Sequence, residues 1–186
     1  IIYRDRFSSV RLAFGHLKSL GHRNIGLISE KDSNAVGYEN IKQIFQLYCD
    51  AAGAVVAPVI ESNNSSQTAP NCSEVLAESL LEAQQKTSDF PSAFIVSGDF
   101  SGDNILKAFK SIKLNIPQDI SVIRLRTIDD IAVKGGYFSS VSRSSDHIAS
   151  AIHKLFEWRL KNPSKPPVTY LDQPKLVVRK STIPHS

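Results

Sequence analysis

Short apolar runs alternate with amphipathic segments along most of this chain, and this alternation constrains the fold more than any other feature. Four apolar runs have the length and character of strands buried on both faces of a parallel sheet, at residues 24–29, 54–60, 93–97 and 120–125. Before and between them, apolar residues recur every three or four positions, the period of a helix face, in residues 8–20, 35–52, 73–86 and 101–112. The sequence therefore predicts an α/β fold, with a parallel sheet covered by helices on both faces.

The last third of the chain departs from this alternation. Residues 135–142 contain a glycine pair and a short strand, and an amphipathic helix is predicted over 146–160. The apolar stripe of that helix contains Ile148, Ile152, Leu155 and Phe156. The proline-rich segment 162–167 ends the helix, and two extended segments follow at 168–171 and 175–181.

The composition is typical of a globular protein, and it argues against a membrane or nucleic acid as a direct partner of this chain. Hydrophobic side chains make up 41% of the 186 residues, enough to fill the core of one domain or of one and a half. No run approaches the roughly 18 apolar residues of a membrane span, so no membrane partner is predicted. The net charge is +4, but Lys and Arg are scattered, which argues against direct contact between this part of the protein and nucleic acid.

The start of the chain and its cysteines bear on its cellular location. The sequence begins Ile-Ile-Tyr, which is typical of a strand rather than a secretion signal, and it contains no methionine, so we expect a fragment of a longer protein. Cys49 and Cys72 have no spacing typical of a metal site, and two isolated cysteines suit a reducing compartment. These features predict a cytoplasmic protein.

The sequence carries no signature of catalysis, metal binding or cofactor binding. It contains no GxSxG, P-loop or GxGxxG motif, so we predict that it is not an enzyme and binds no cofactor. The serines beside His147 are better explained as a helix start, with Ser144 or Ser145 as the cap and Asp146 complementing the positive helix end. The histidines are dispersed, and no metal site is predicted.

Residues 97–103 (SGDFSGD) follow a predicted strand and open a predicted helix. Open α/β sheets bind ligands at this position, where strands end. Two carboxylates, Asp99 and Asp103, are too few to hold a hard metal cation. Asp99 is therefore either a ligand contact or a cap of the following helix, and the residues alone leave both interpretations open.

Several segments, read in order, resemble the effector-binding core of the LacI/GalR family of transcription regulators. Residues 16–29 (HLKSLGHRNIGLIS) resemble the family's helix, Gly-His turn and strand, and residues 91–123 resemble its strand, Asp-containing turn, helix and proline-marked loop. Residues 138–156 stand in the place of its Thr-Thr-Val segment and following helix, and residues 175–182 (KLVVRKST) match its closing strand. The resemblance covers nearly the whole chain, and the order and spacing of these segments make it specific.

The resemblance implies a type I periplasmic-binding-protein-like core, in which two α/β subdomains enclose a small effector such as a sugar or sugar derivative. It implies that about 7–125 and 173–184 form a complete C-terminal subdomain. About 127–172 would cross back and form part of the N-terminal subdomain, most of which would precede this chain. A helix-turn-helix DNA-binding head would also precede it, and the family implies a homodimer through the helices near 101–112 and after Ser73. The implied function is effector sensing and dimerisation in a repressor of carbohydrate metabolism genes.

By the same resemblance, four positions are expected to contact the effector: Asn34, Gly98, Asp99 and Arg126. Gly98-Asp99 stands where the family has Asn-Asp. Arg124-Leu125-Arg126-Thr127 stands where the family has Gly, an aromatic residue and two Asp, so Arg126 replaces the cleft aspartate. Asn34 takes the place of an Arg often found three residues before a Gly-aromatic pair, here Gly37-Tyr38.

Arg126 has two interpretations. A guanidinium can grip a carboxylate or phosphate with two parallel hydrogen bonds, so Arg126 in the cleft would select an anionic or carbonyl-rich effector. Alternatively, Arg126 pairs with Asp129 or Asp130 on the surface, and the effector site has drifted or been lost.

Two other classes of protein share this alternation of strands and helices. A periplasmic sugar-binding protein of a transport system has the same type of fold, but the KLVVRKST ending and the GHRNIGLIS segment favour the regulator. An enzyme on a similar sheet would need a nucleophile or metal constellation that the sequence lacks.

Overall fold

A computed structural model describes residues 1–30, 38–53, 59–62, 71–98, 100–125 and 136–185. The strands are β1 (Ile2–Arg4), β2 (Ile25–Glu30), β3 (Val59–Ser62), β4 (Ala93–Ser97), β5 (Ser121–Leu125), β6 (Ser139–Ser142), β7 (Tyr170–Asp172) and β8 (Lys175–Val177). The helices are α1 (Arg6–Ser19), α2 (Tyr38–Ala51), α3 (Cys72–Lys86), α4 (Gly102–Ser111) and α5 (Ser145–Lys161). None of the helices in these ranges combines the length and apolar character needed to cross a membrane.

Six strands form one sheet in the order β3-β2-β4-β5-β6-β8. All neighbouring pairs are parallel except β6 and β8, which are antiparallel. This arrangement confirms the predicted α/β fold with a mainly parallel sheet. β1 and β7 pair in parallel in a separate two-stranded sheet.

Helices cover both faces of the six-stranded sheet, and each face has its own apolar core. Successive residues of a strand point to opposite faces, and all five residues of β4 are buried. Ala93 and Ile95 pack in the core beneath α1 and α2, whereas Phe94 and Val96 pack in the core beneath α3 and α4. Burying each large apolar side chain stabilises the fold by roughly 1.5–3 kcal/mol, so the near-continuous apolar strands fix this layered arrangement.

One glycine of β2 provides space for an aromatic ring of β4. Gly26 is the register partner of Phe94, and a Cβ atom on Gly26 would lie 2.3 Å from Cε1 of that ring. No side chain fits at this distance, so the absence of a Cβ lets the Phe94 ring pack directly against the backbone of Gly26.

α1 begins two residues before the predicted start at Ser8. Asp5 is the cap, because its Oδ1 accepts a hydrogen bond from the backbone N–H of Ser8 at 2.8 Å. At the other end, Gly21 has a φ of +91°, a conformation that favours glycine and stops the helix as predicted.

α5 forms as predicted, but much of its apolar stripe is not packed. Ile152 is 53% exposed and Phe156 is 63% exposed. Further apolar side chains, near the ends of the chain or of this helix, are also exposed: Ile1, Tyr3, Leu160, Val168, Tyr170 and Leu171. Amphipathicity therefore predicted the helix correctly, although the described residues do not cover its apolar face.

The predicted division into subdomains remains a prediction. The two-stranded sheet contains residues from both ends of the chain, and β7 lies within the segment 127–172 that is predicted to cross back. β6 lies in the same segment, yet it pairs with β5 in the six-stranded sheet.

Candidate functional site

The parallel strands β2 to β6 all end at one edge of the six-stranded sheet, which we call the carboxyl edge. Ser29 is the register partner of Ser97, and Ser97 is the register partner of Leu125. The carboxyl ends of β2, β4 and β5 therefore lie side by side. Ligands of open α/β sheets bind at such an edge, which makes it the candidate site.

The four positions expected to contact an effector all follow strands that end at this edge. Gly98 is described and directly follows β4. Asn34, Asp99 and Arg126 lie outside the described residues, so the contacts predicted for them remain predictions. The ends of β2, β4 and β5, which precede these positions in the chain, are adjacent in register.

Gly98 has a φ of +126°, a backbone conformation that residues with a Cβ rarely adopt. Glycine is therefore required here by the course of the chain as it leaves β4. With no side chain, Gly98 can offer a ligand only its backbone groups, whereas an Asn would also offer an amide.

The turn after Gly98 leads into α4, whose amino end opens at the carboxyl edge. Ser101 is the cap residue, and its Oγ accepts a hydrogen bond from the backbone N–H of Asn104 at 3.1 Å. Asp103 lies in the first turn, where a negative charge complements the helix dipole. Ser101 therefore caps α4, whereas Asp99 lies outside the described residues and its predicted roles remain predictions.

A buried arginine lies beneath this turn. Arg124, in β5, is only 7% exposed, and its Nη2 donates a hydrogen bond to the backbone carbonyl of Phe100. Its Cζ also lies 5.6 Å from the centroid of the Phe138 ring, within the range of a cation–π interaction. Sequence reasoning noted Arg124 only as a departure from the family, although a charged residue inside an apolar strand is itself a signal.

A second arginine holds the segment that enters β6. Arg179 Nη1 donates hydrogen bonds to the Phe138 carbonyl at 2.9 Å and to Ser140 Oγ at 3.2 Å. Gly136 makes room for it, because a Cβ there would lie 3.2 Å from Arg179 Cζ. Both arginines therefore contact Phe138. Arg124 lies over its ring, and Arg179 donates to its backbone carbonyl.

A buried ion pair lies where β6 reaches the carboxyl edge. Arg143 Nη1 is 3.1 Å from Asp172 Oδ2, and the two side chains are 9% and 4% exposed. Burial lowers the pKa of the Arg143 guanidinium, the positive charge of Arg4 acts in the same direction, and the hydrogen bond to Asp172 opposes both. Sequence reasoning missed this pair because its members lie 29 residues apart.

α5 begins beside this ion pair. Ser144 occupies the cap position and Asp146 lies in the first turn, as predicted, but the Ser144 side chain makes no capping hydrogen bond. Among the described residues, no group of three or more His, Cys, Asp or Glu side chains could hold a metal ion. The described part of the carboxyl edge carries hydroxyls and backbone amides, the carboxylates of Asp103 and Asp146, and the buried guanidinium groups of Arg124 and Arg143. Such groups can form hydrogen bonds with a polar small molecule.

The sequence matches the model of one protein family over most of its length. That family is the periplasmic binding protein-like domain, and the match covers residues 14–182. The chain is 24% identical over 174 residues to the HTH-type transcriptional regulator GalR of Lacticaseibacillus casei, covering 90% of this chain and 50% of that protein. It is 22% identical over 180 residues to the HTH-type transcriptional repressor PurR of Edwardsiella ictaluri, covering 97% of this chain and 51% of that protein. The chain thus spans about half the length of these curated relatives.

Solved structures share the fold. A LacI family transcriptional regulator from Enterococcus faecium, with bound ribose, superposes with a TM-score of 0.75 at 20% identity, covering 100% of this chain and 66% of that one. A LacI transcriptional regulator from a Rhodococcus species gives a TM-score of 0.75 at 23% identity, covering 97% of this chain and 63% of that one.

Proposed function

Because this chain belongs to the periplasmic binding protein-like domain family, as an effector-binding domain of the LacI type, we propose that it senses a small molecule and dimerises within a transcription regulator. The observation that carries the proposal is the family match over residues 14–182, together with strands that end side by side at one edge. Its curated relatives are transcription regulators rather than enzymes, which supports a role without catalysis. The proposed location is the cytoplasm, where such a regulator meets DNA.

In this proposal, the effector binds at the carboxyl edge between two lobes. The six-stranded sheet, formed mainly from 7–125 and 173–184, is the C-terminal lobe. β1, β7 and α5 belong to the interface with a second lobe, most of which precedes this chain in the full-length protein. The exposure of Tyr3, Leu171 and Phe156 supports this division, because parallel strands and amphipathic helices are stable when their apolar faces are covered.

The proposed effector is a small sugar-like or anionic molecule. Asn34, Gly98, Asp99 and Arg126 are the proposed contacts, since all follow strands that end at the carboxyl edge. Arg126 in place of an aspartate favours a carboxylate or phosphate group, because a guanidinium binds such groups with paired hydrogen bonds. Buried Arg124 adds positive charge to the same edge.

The proposed signal is a change in how the two subunits of a homodimer are placed relative to each other. Effector binding closes or reorients the lobes, and a homodimer built on α3 and α4 passes the change to helix-turn-helix heads that bind DNA. Leu81 of α3 is 41% exposed, and Leu106 of α4 is only partly buried, which supports an apolar contact on this face. The switch is only as strong as the difference in the effector's affinity for the two states.

Calorimetry on the full-length protein tests the effector class. D-ribose, D-ribose 5-phosphate and D-gluconate provide a neutral sugar, a phosphate and a carboxylate. We expect an anionic compound to bind best, and Arg126→Ala to weaken that binding at least tenfold while leaving neutral sugar binding unchanged. Preferential binding of D-ribose that is insensitive to Arg126→Ala would contradict the anionic class.

The coding sequence upstream of Ile1 separates the regulator from a transport protein of similar fold. A helix-turn-helix sequence supports the regulator, and DNA binding by the full-length protein should then respond to the compound that binds in calorimetry. A secretion signal followed directly by the first lobe would instead identify a periplasmic sugar-binding protein.

A further inference from the structure

Arg124 occupies a position that a buried strand normally gives to an apolar or small residue. It is the fourth residue of β5, its register partners are Val96 in β4 and Ser140 in β6, and it is 7% exposed. It points to the same face of the sheet as Val122, the face covered by α3 and α4. A guanidinium is costly to bury, so its contacts at this position must compensate for lost hydration.

The contacts of Arg124 join three segments of the carboxyl edge. Nη2 donates to the carbonyl of Phe100, in the turn between β4 and α4, and the guanidinium lies over the ring of Phe138, which precedes β6. Gly102, the first residue of α4, leaves space beside it, because a Cβ there would lie 3.8 Å from Nη1 and only 3.1 Å from the Phe138 ring.

The same turn has a second unusual feature. Gly98 leaves β4 with a φ of +126°, and only two residues later the Phe100 carbonyl accepts the hydrogen bond from Arg124. Phe100 itself is 1% exposed and belongs to the apolar core beneath α3 and α4, so Arg124 bonds to the carbonyl of a well-packed residue. Gly98 permits the direction in which the chain leaves β4, and Arg124 holds the carbonyl of Phe100 shortly before α4 begins.

We propose that Arg124 is a positioning residue of the effector site, and that it fixes Phe100 and the amino end of α4 relative to Gly98 at the end of β4. The part concerning the effector rests on the proposed function. Arg124 does not contact the effector in this proposal. It fixes the backbone groups at Gly98 and the amino end of α4 in the position from which they bind the effector.

Two backbone amides of α4 report on the turn directly. The N–H of Asn104 donates to Ser101 Oγ at 3.1 Å, and the N–H of Ile105 donates to the Ser101 carbonyl at 3.2 Å. At the other end of the helix, the N–H of Leu114 donates to the Phe109 carbonyl at 3.0 Å. Hydrogen exchange at these three amides therefore distinguishes a local change at the turn from loosening of the whole fold.

The experiment measures residue-level hydrogen exchange by NMR in the full-length protein and its Arg124→Gln variant. We expect exchange at Asn104 and Ile105 to accelerate at least tenfold, with Leu114 changed less than twofold. Arg124→Lys keeps one donor for the Phe100 carbonyl and should restore part of the protection. Arg179→Gln is the matched control, because Arg179 contacts the Phe138 carbonyl rather than Phe100, and it should leave Asn104 and Ile105 unchanged.

Equal acceleration at all three amides, or none at Asn104 and Ile105, would overturn the proposal. Calorimetry with D-ribose and D-ribose 5-phosphate tests the functional part, and Arg124→Gln should weaken whichever compound the wild type binds at least tenfold. An unchanged affinity would overturn the positioning role for the effector even if the turn loosens. If the wild type binds neither compound, the effector proposal fails for these probes, and the exchange data still decide whether Arg124 holds the turn.

Discussion

The guanidinium of Arg143 lies 3.1 Å from the carboxylate of Asp172, and this pair joins the six-stranded sheet to the two-stranded sheet. Arg143 directly follows β6, whereas Asp172 is the last residue of β7. The backbone carbonyl of Asp172 also accepts a hydrogen bond from the N–H of Asp5, the cap of α1. The ion pair thus holds together the segments at which the two proposed lobes meet.

Asp172→Asn should destabilise the protein by about 3–5 kcal/mol, because it removes the carboxylate charge that lies 3.1 Å from the buried Arg143 guanidinium. Urea unfolding at neutral pH measures the effect. The double variant Arg143→Met/Asp172→Leu removes both charges and should be more stable than Asp172→Asn. A cost below about 1 kcal/mol for Asp172→Asn would mean that solvent reaches the pair.

His22 should make stability depend on pH. Its Nε2 lies 3.2 Å from the Ile183 carbonyl, which can only accept, so Nε2 carries the proton and Nδ1 accepts from Ser92 Oγ at 2.8 Å. Burial lowers the pKa of His22 below 6.5, and the hydrogen bond to Ile183 opposes this shift. The unfolded chain therefore takes up the proton first as pH falls below about 6.5.

The contribution of His22 is thus complete above pH 6.5 and is lost as the pH falls through its lower value in the folded protein. Unfolding free energies measured between about pH 5 and pH 8 should decline on the acidic side, and an NMR titration of the ring should give a pKa below 6.5. His22→Gln should reduce the slope. An equal slope in His22→Gln would assign the pH dependence to other groups, among them His16, whose pKa burial also lowers.

Gly98→Ala should destabilise the fold by about 1–3 kcal/mol, because a Cβ is strained at a φ of +126°. Gly15→Ala provides a control of opposite sign. Gly15 lies inside α1, and a Cβ added there would have no neighbouring atom within 4 Å, so alanine should stabilise by about 0.5–1 kcal/mol. Thermal unfolding of both variants checks the pair, and a neutral Gly98→Ala would contradict the assigned backbone conformation.

Phe156→Ser should lower the thermal stability of the full-length protein by about 1 kcal/mol or more if a second lobe covers α5, since burial of an aromatic ring is then lost. Lys154→Ser is the control, because position 154 lies about 200° around the helix from Phe156. Equal, near-zero effects for both variants would show that the Phe156 ring, 63% exposed here, stays exposed in the whole protein.

The layered fold was predictable because the sequence patterns that specify its strands and helices each extend over only a few residues. The apolar run 93–97 coincides with β4, and the helix predicted over 73–86 begins one residue earlier, at Cys72. Four consecutive strands with apolar residues on both faces require helices on both sides, and the intervening periodicity provides those helices. The start predicted for α1 is two residues late, because the capping role of Asp5 depends on a hydrogen bond that periodicity does not reveal.

The candidate site was predictable only as a location. Its place directly after an apolar strand puts Gly98 at the carboxyl edge, but no local sequence pattern specifies a φ of +126°. From the sequence, Arg124 was noted only as a departure from the family pattern. Its partners, Phe100 and Phe138, lie 24 positions earlier and 14 positions later in the chain, and local patterns do not connect residues so far apart.

The amino-acid sequence by itself determined the number and type of the main elements, because hydrophobic periodicity acts over a few residues and each buried face needs a partner layer. Only the tertiary structure decided which distant residues meet. The Arg143–Asp172 pair, the packing of Phe94 on Gly26 and the contact of Arg124 with Phe100 all join separate parts of the chain. Such contacts depend on strand order and register, which arise from the packing of the whole chain.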